Sequence, residues 1–341
     1  MLNLFKKLII STCLITSISP VFASAPLTTV ELPIANQEEQ QISPLLSQGL
    51  NTVVTRLTGN PKIAEQKAVA DILSQPNDYI ENYSQQANPD RLVMSFDQRS
   101  IENALSKADI GYWSSRRPLI MTWWLNETKD NTSLIGDGQP SSKIITSAAE
   151  TQGFPLIFPL ADLNEQTLVK KENFTANPPT ALLQGSKQYM PNAILIVYML
   201  QKDNDYQANW QLWLSNDETK PLASAQVKGT SQQQIANQIF SDINPVLANV
   251  FIVKGNNTTE NLDIVINGLD FSRYVEVNNL MNSFDGKVVE TTGSTVHYQI
   301  KANPDQIEAQ LNLLHFTLKK EDKTTLAEPN KTTTLVFQPS N

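Results

Sequence analysis

The chain of 341 residues has one cysteine and two histidines. A single thiol excludes an internal disulfide framework. His297 and His315 lie far apart with no acidic spacing motif between them, a poor basis for a metal site. Glycine is scarce, at 12 residues, and neither a Gly-x-Gly-x-x-Gly fingerprint nor a P-loop is present. The Gly-x-Ser-x-Gly elbow of serine hydrolases is also missing. Basic residues number 26 against 34 acidic ones, a net charge of −8, so the electrostatic footprint of a nucleic-acid binder is lacking. After the first two dozen residues no apolar run approaches the ~20 residues that a membrane helix needs. What remains is a globular composition, 40% hydrophobic and 18% charged.

The amino terminus reads as an address. Lys6 and Lys7 form a short positive region, Leu8 to Val21 is apolar, and Val21-Phe22-Ala23 offers small residues for signal-peptidase cleavage. Residues 1–23 are therefore expected to be a cleavable secretory signal, and the expected location is the periplasm. Cys13, the one cysteine, leaves with the signal, which suits an oxidising compartment. Residues 24–41 are polar and are expected to be an unstructured leader.

Helical periodicity begins at Pro44. Leu46, Leu50, Val53, Val54 and Leu57 share one face, and Gly59 is a natural stop. Strands are expected at 92–96, 119–125, 156–158, 193–200, 210–214 and 223–227. Helices are expected at 100–108, 142–151, 180–189 and 231–249, and residues 126–141 read as a loop. Alternating strands and helices imply a mixed, mostly parallel sheet with packed helices over residues 42–253. Residues 254–261 read as a linker. From Leu262 the order strand, helix, strand, strand, helix, strand is ferredoxin-like, and either residues 315–319 or Leu335 to Phe337 supply its last strand. The expected fold class is thus α/β (α+β) in two domains.

Four ordered segments resemble a known family. Val53-Val54-Thr55-Arg56-Leu57-Thr58-Gly59 is similar to its opening helix. Trp113 with Arg117-Pro118-Leu119 and Trp123 is similar to its central strand. Gly153 to Asp162 is similar to its third strand, and Ser186 to Tyr189 with Ala193-Ile194-Leu195 to a helix-to-strand junction. Over residues 42–250 the chain thus resembles the bacterial family known as domain of unknown function 2066. The resemblance implies a secreted protein of Gram-negative bacteria. The layout is also similar, at the level of fold alone, to the amino-terminal domain of TolB, whose group acts through protein contacts in the periplasm. The chain departs from the family pattern at Gln152, Gln188, Asn192 and Val197, which stand where Arg, Arg, Asp and Gly are usual. Arg56, Arg117 and Asp162 keep the pattern.

Those three are the charged candidates for a binding site. Asp97 and Asp162 each follow an expected strand, where open α/β sheets bind ligands. As a pair they can hold a cation or act as acid and base; singly, each can cap the next helix. Arg117 can bind an anion or a carboxylate, or form a structural ion pair. Trp123 and Trp124 point to opposite faces of a strand, as do Trp210 and Trp213, and are either core residues or anchors for a partner or a sugar. The expected function is a non-enzymatic envelope protein acting through protein–protein contacts, with no cofactor, no metal and no nucleic acid. The alternative is a binder of peptidoglycan, glycan or a small solute at the strand ends, through Arg56, Arg117, Trp123, Trp124 and Asp162. A hydrolase built on Asp97 and Asp162 is a third reading.

Overall fold

The computed structural model describes residues 27–34, 42–87, 90–113, 117–215, 218–251, 260–282, 284, 286–323 and 332–340. The expected signal, residues 1–23, lies outside them. Over the described residues the chain mixes helix and sheet in three sheets, and no helix is long and apolar enough to cross a membrane.

The first unit comprises β1 (Thr29–Pro33), α1 (Ile42–Thr58), α2 (Lys67–Leu73), β2 (Ile80–Gln86), β3 (Arg91–Phe96) and α3 (Gln98–Lys107). Its antiparallel sheet has the order β1-β3-β2. Leu92, Met94 and Phe96 alternate inward from β3 onto the apolar stripe of α1. The helix approaches so closely that a Cβ on Gly49 would sit 2.8 Å from the Met94 Cε. Two expectations fail here. Part of the supposed leader is strand β1, because Val30, Leu32 and Ile34 alternate onto the same core. Strand β3 does not join the sheet that follows, because β1 and β2 occupy both of its edges.

The second unit holds β4 (Ile120–Glu127), β5 (Thr132–Ile135), α4 (Pro140–Thr151), β6 (Leu156–Ile157), α5 (Leu163–Leu168), α6 (Lys171–Thr175), α7 (Thr180–Ser186), β7 (Ala193–Lys202), β8 (Asp205–Leu214), β9 (Ala223–Gly229) and α8 (Gln232–Phe251). The sheet order is β5-β4-β7-β8-β9, with β6 beside the start of β4. Parallel pairing is confined to β4 with β6 and β7; the other pairs are antiparallel, so the sheet is mixed with less parallel pairing than expected. Strand β5 lies in the expected loop, where only Leu134 and Ile135 carry an inward signal. The sheet is covered on both faces. Trp124 and Trp210 pack with α4 and α8 on one side, Trp123 and Trp213 with α6 and α7 on the other.

The third unit comprises β10 (Glu260–Ile266), α9 (Phe271–Asn282), β11 (Lys287–Thr292), β12 (Thr295–Ala302), α10 (Pro304–Leu313), β13 (Phe316–Lys323) and β14 (Thr332–Pro339). Its order is β11-β12-β10-β14-β13. Both candidates for the last strand form, as a hairpin. The final strand β14 inserts beside β10, parallel to it, and β13 is left outside. The unit therefore departs from a four-stranded ferredoxin-like order by one added strand. Two residues of the expected linker, Glu260 and Asn261, begin β10. Edge strand β11 is exposed throughout and carries a bulge between Val288 and Glu290. Val275 and Leu280 of α9 do not share a face: the first is exposed and the second is core. Asn192 joins the second and third units, accepting from Leu119 N at 2.8 Å and donating to Leu313 O at 3.3 Å.

Gly59 ends α1 with φ +62°, and a Cβ there would stand 2.3 Å from the Ala248 Cβ of α8. Gly59→Ala is expected to cost roughly 2–4 kcal/mol, from left-handed strain plus overpacking. Gly138→Ala, with φ +75° and open space around it, should cost about 1 kcal/mol. Urea unfolding of both variants checks the difference.

Candidate functional site

Arg56 and Arg117 are the predicted residues that the fold brings together. Arg56 sits in the last turn of α1, almost fully buried. Its Nη1 donates to Leu27 O at 3.0 Å and Thr29 O at 2.7 Å, and its Nε donates to Thr151 O at 3.0 Å. One guanidinium thus ties β1, α1 and the carboxyl end of α4. Burial pulls its pKa down to about 10, against the pull of Glu150.

The end of α1 is a second set of carbonyls in need of donors. Gly59 N serves Thr55 O at 2.8 Å, and Trp113 N serves Leu57 O at 2.7 Å. Arg117 Nη2 serves Arg56 O at 2.5 Å. The Arg117 guanidinium lies over the Trp113 ring, 4.1 Å from its centroid. Burial, then the neighbouring Arg56 charge, lowers its pKa to about 9; Glu102 acts in the other direction. Arg117 Nε and Nη1 and Trp113 Nε1 are buried without a hydrogen-bond partner among the described residues. No carboxylate pairs with either arginine among the described residues. Both arginines therefore act as donors to helix-end carbonyls, where the helix dipole favours a cation.

Two cavities flank this junction. One, of about 450 Å³, is lined by Thr58, Gly59, Gln66, Asp109, Pro245 and Asn249 among others. The other, of about 530 Å³, runs between α4 and α8 and is lined by uncharged side chains, including Gln152, Gln234, Asn237 and Gln238. The amide of Gln152 accepts from Asn244 Nδ2 at 2.8 Å.

The other predicted residues are elsewhere and are otherwise occupied. Trp123 and Trp124 are fully buried, and their indole N–H groups donate to Ser186 Oγ at 2.8 Å and Asn126 Oδ1 at 2.9 Å. Neither is presented to a partner or a sugar, because the sheet is covered on both faces. Asp162 caps α5, accepting from Glu165 N at 2.8 Å. Asp97 caps α3, accepting from Arg99 N at 3.0 Å and Ser100 Oγ at 2.5 Å. The two aspartates belong to different sheets and do not form an acid–base pair. Among the described residues no group of three or more His, Cys, Asp or Glu residues is placed to hold a metal.

A polar cluster around Asp162 escaped sequence reasoning. Glu165 is buried and accepts from Tyr189 OH, from Gln188 Nε2 at 3.3 Å and from Ala161 N at 2.6 Å. Tyr189 OH also accepts from Leu160 N at 3.1 Å. Burial and the Glu165 hydrogen bond push the Tyr189 phenol up to about 12. Around this cluster Leu160, Leu163 and Met190 are exposed by 72%, 88% and 67%. The only sequence signal for it was Asp162 followed three residues on by Glu165, the spacing of a capping box.

Two outcomes follow from these contacts. Arg56→Ala removes three hydrogen bonds and is expected to lose roughly 2–4 kcal/mol; Arg56→Lys recovers part of it, since one ammonium cannot match the guanidinium fork. Denaturant unfolding measures both. The unfolded chain releases the Tyr189 proton near pH 10, whereas the folded chain holds it to about pH 12. Unfolding therefore releases a proton in that window, and stability falls as pH rises through it. Tyr189→Phe should flatten that fall, with the similarly raised Tyr298 still contributing; urea midpoints across the window give the slope.

Residues 23–114 match the family model described as Domain of unknown function (DUF8605). The match coincides with the first unit and covers less than half of the chain. No curated protein and no solved structure matches the chain. The matched family is uncharacterised, as the sequence reading anticipated, but its model is not that of the 2066 family and spans a more amino-terminal stretch than residues 42–250.

Proposed function

We propose that this is a non-enzymatic protein of the bacterial periplasm that works by contact with other envelope proteins. One observation carries the reading: three large aliphatic side chains, Leu160, Leu163 and Met190, stand exposed on the segments that the Glu165 and Tyr189 hydrogen bonds hold together. Isolated exposed apolar residues are ordinary, but large ones gathered in one place mark interaction surfaces. The patch is also held in shape at a cost. Ala161 and Met190 adopt φ of 58° and 45°, strained for residues with a Cβ. Hydrogen bonds from Ala161 N to Glu165 and from Leu160 N to Tyr189 fix that backbone. Such strain is retained where a surface must be presented in one form.

The periplasmic location is supported by the basic, apolar and small-residue pattern of residues 1–23. The likeness of four segments to a secreted family, and of the layout to the TolB amino-terminal domain, supports the same location. Of the five residues expected for a strand-end ligand site, Trp123 and Trp124 are core and Asp162 is a cap, and this favours the contact reading.

Photo-crosslinking in cells tests the proposal. A photoreactive residue in place of Leu163 should give a discrete protein adduct, identified by mass spectrometry. Leu160→Asp should remove the adduct while changing stability by less than about 0.5 kcal/mol, as for other exposed positions. Absence of any protein adduct at Leu163 would sink the reading.

A further inference from the structure

Helix α8 is amphipathic in an unusual way. Its buried face is apolar, with Ile235, Ile239, Phe240 and Ile243 in the core. Its opposite face has little charge. Gln233, Gln234, Asn237 and Gln238 are exposed there and, with Thr151 and Gln152 at the end of α4, line the groove of about 530 Å³ between the helices. That volume lies in the range of small-ligand sites. No lining residue carries a charge.

The amides of this groove are not loose. Gln234 Oε1 accepts from Thr230 N at 2.9 Å and from Thr230 Oγ1 at 3.1 Å. Gln233 Nε2 donates to Asn237 Oδ1 at 2.9 Å, and Gln238 Nε2 donates to Asp242 Oδ1 at 2.7 Å. Gln152 Oε1 is taken by Asn244. Each amide is thus anchored at one end. The opposite ends, among the described residues, form no further hydrogen bond: Nε2 of Gln152, Nε2 of Gln234 and Nδ2 of Asn237 as donors, Oε1 of Gln233 and Oε1 of Gln238 as acceptors. An anion needs donors alone and a cation acceptors alone. A mixture of anchored donors and acceptors, with no charge among them, matches hydroxyl groups, each of which both donates and accepts. Anchoring also lowers the rotamer entropy lost when a ligand binds.

We propose that the α4–α8 groove is a binding site for a neutral glycan. The site is separate from the aliphatic patch and does not depend on it. It lies on helices rather than at the strand ends, and it uses none of the residues that the sequence offered as binding candidates.

The test uses the whole secreted chain, labelled with nitrogen-15, and follows the side-chain amide signals by NMR. The neutral probes are N,N′-diacetylchitobiose and maltose; digalacturonic acid is the anionic probe and a Gln-Gln dipeptide the peptide probe. Saturable shifts are expected at Gln152, Gln234 and Asn237 with at least one neutral sugar, and weaker binding of digalacturonic acid. Asn237→Ala, an exposed position, should weaken the sugar about three- to tenfold, the effect of one or two lost hydrogen bonds. Gln238→Ala on the same face gives a second reading should Asn237→Ala fold poorly. Silence of these signals with both sugars overturns the proposal. So does equal or tighter binding of the acid, saturable shifts from the dipeptide alone, or sugar binding unaffected by both substitutions.

Discussion

Helix ends are the points on which this structure turns. A helix leaves its last carbonyls without partners, and burying them unpaired is costly. Here the last turn of α1 is buried, and the end of α4, itself exposed, lies within reach of it. Arg56 and Arg117 serve these carbonyls in series. Arg117 donates to the backbone of Arg56, whose side chain donates in turn to the end of α4 and to the strand entering the first sheet. The partners are backbone carbonyls, which every sequence supplies, so the contact is fixed by where the helices end rather than by a matching acid. The pKa of each arginine is lowered by burial, the cost of placing positive charge there. Helix dipoles and otherwise orphaned carbonyls offset that cost.

The three sheets follow from which edges are available. Strand β3 is flanked on both sides, so the chain must leave it and start another sheet. In the second sheet, β4 and β7 are apolar along nearly their whole length because helices cover both faces. The four tryptophans of its strands divide between those faces, two to each, and Trp113 adds a third on the α4–α8 side. That arrangement makes the sheet a scaffold whose two faces are covered, and both proposed binding surfaces therefore lie outside it.

Much of this was legible in the sequence, and the failures have physical causes. The stripe of α1, the alternation of β3 and the opposite orientation of Trp123 and Trp124 depend on local periodicity, and all are observed. Strand β1 was hidden because Val30 and Leu32 are too few to stand out among polar neighbours. The order of the third sheet was hidden because β14 inserts by pairing at long range. Arg56 and Arg117 were legible as separate charged candidates, but neither their proximity nor their carbonyl partners, since backbone acceptors leave no trace in residue identity. Three polar residues singled out in the sequence have defined places in three dimensions. Gln152, Gln188 and Asn192 each hydrogen-bond as neutral amides, to Asn244, to Glu165, and to Leu119 and Leu313.

The bulge in β11 bears on how the molecule behaves when crowded. An edge strand with two adjacent exposed valines, Val288 and Val289, is a template on which other chains can grow. The extra residue breaks the even spacing of amide groups along that edge and twists it. Lys287 and Glu290 flank the valines with opposite charges. A strand arriving from another molecule meets a misregistered ladder between two charged posts, which makes the β11 edge of the third sheet a poor template for further pairing.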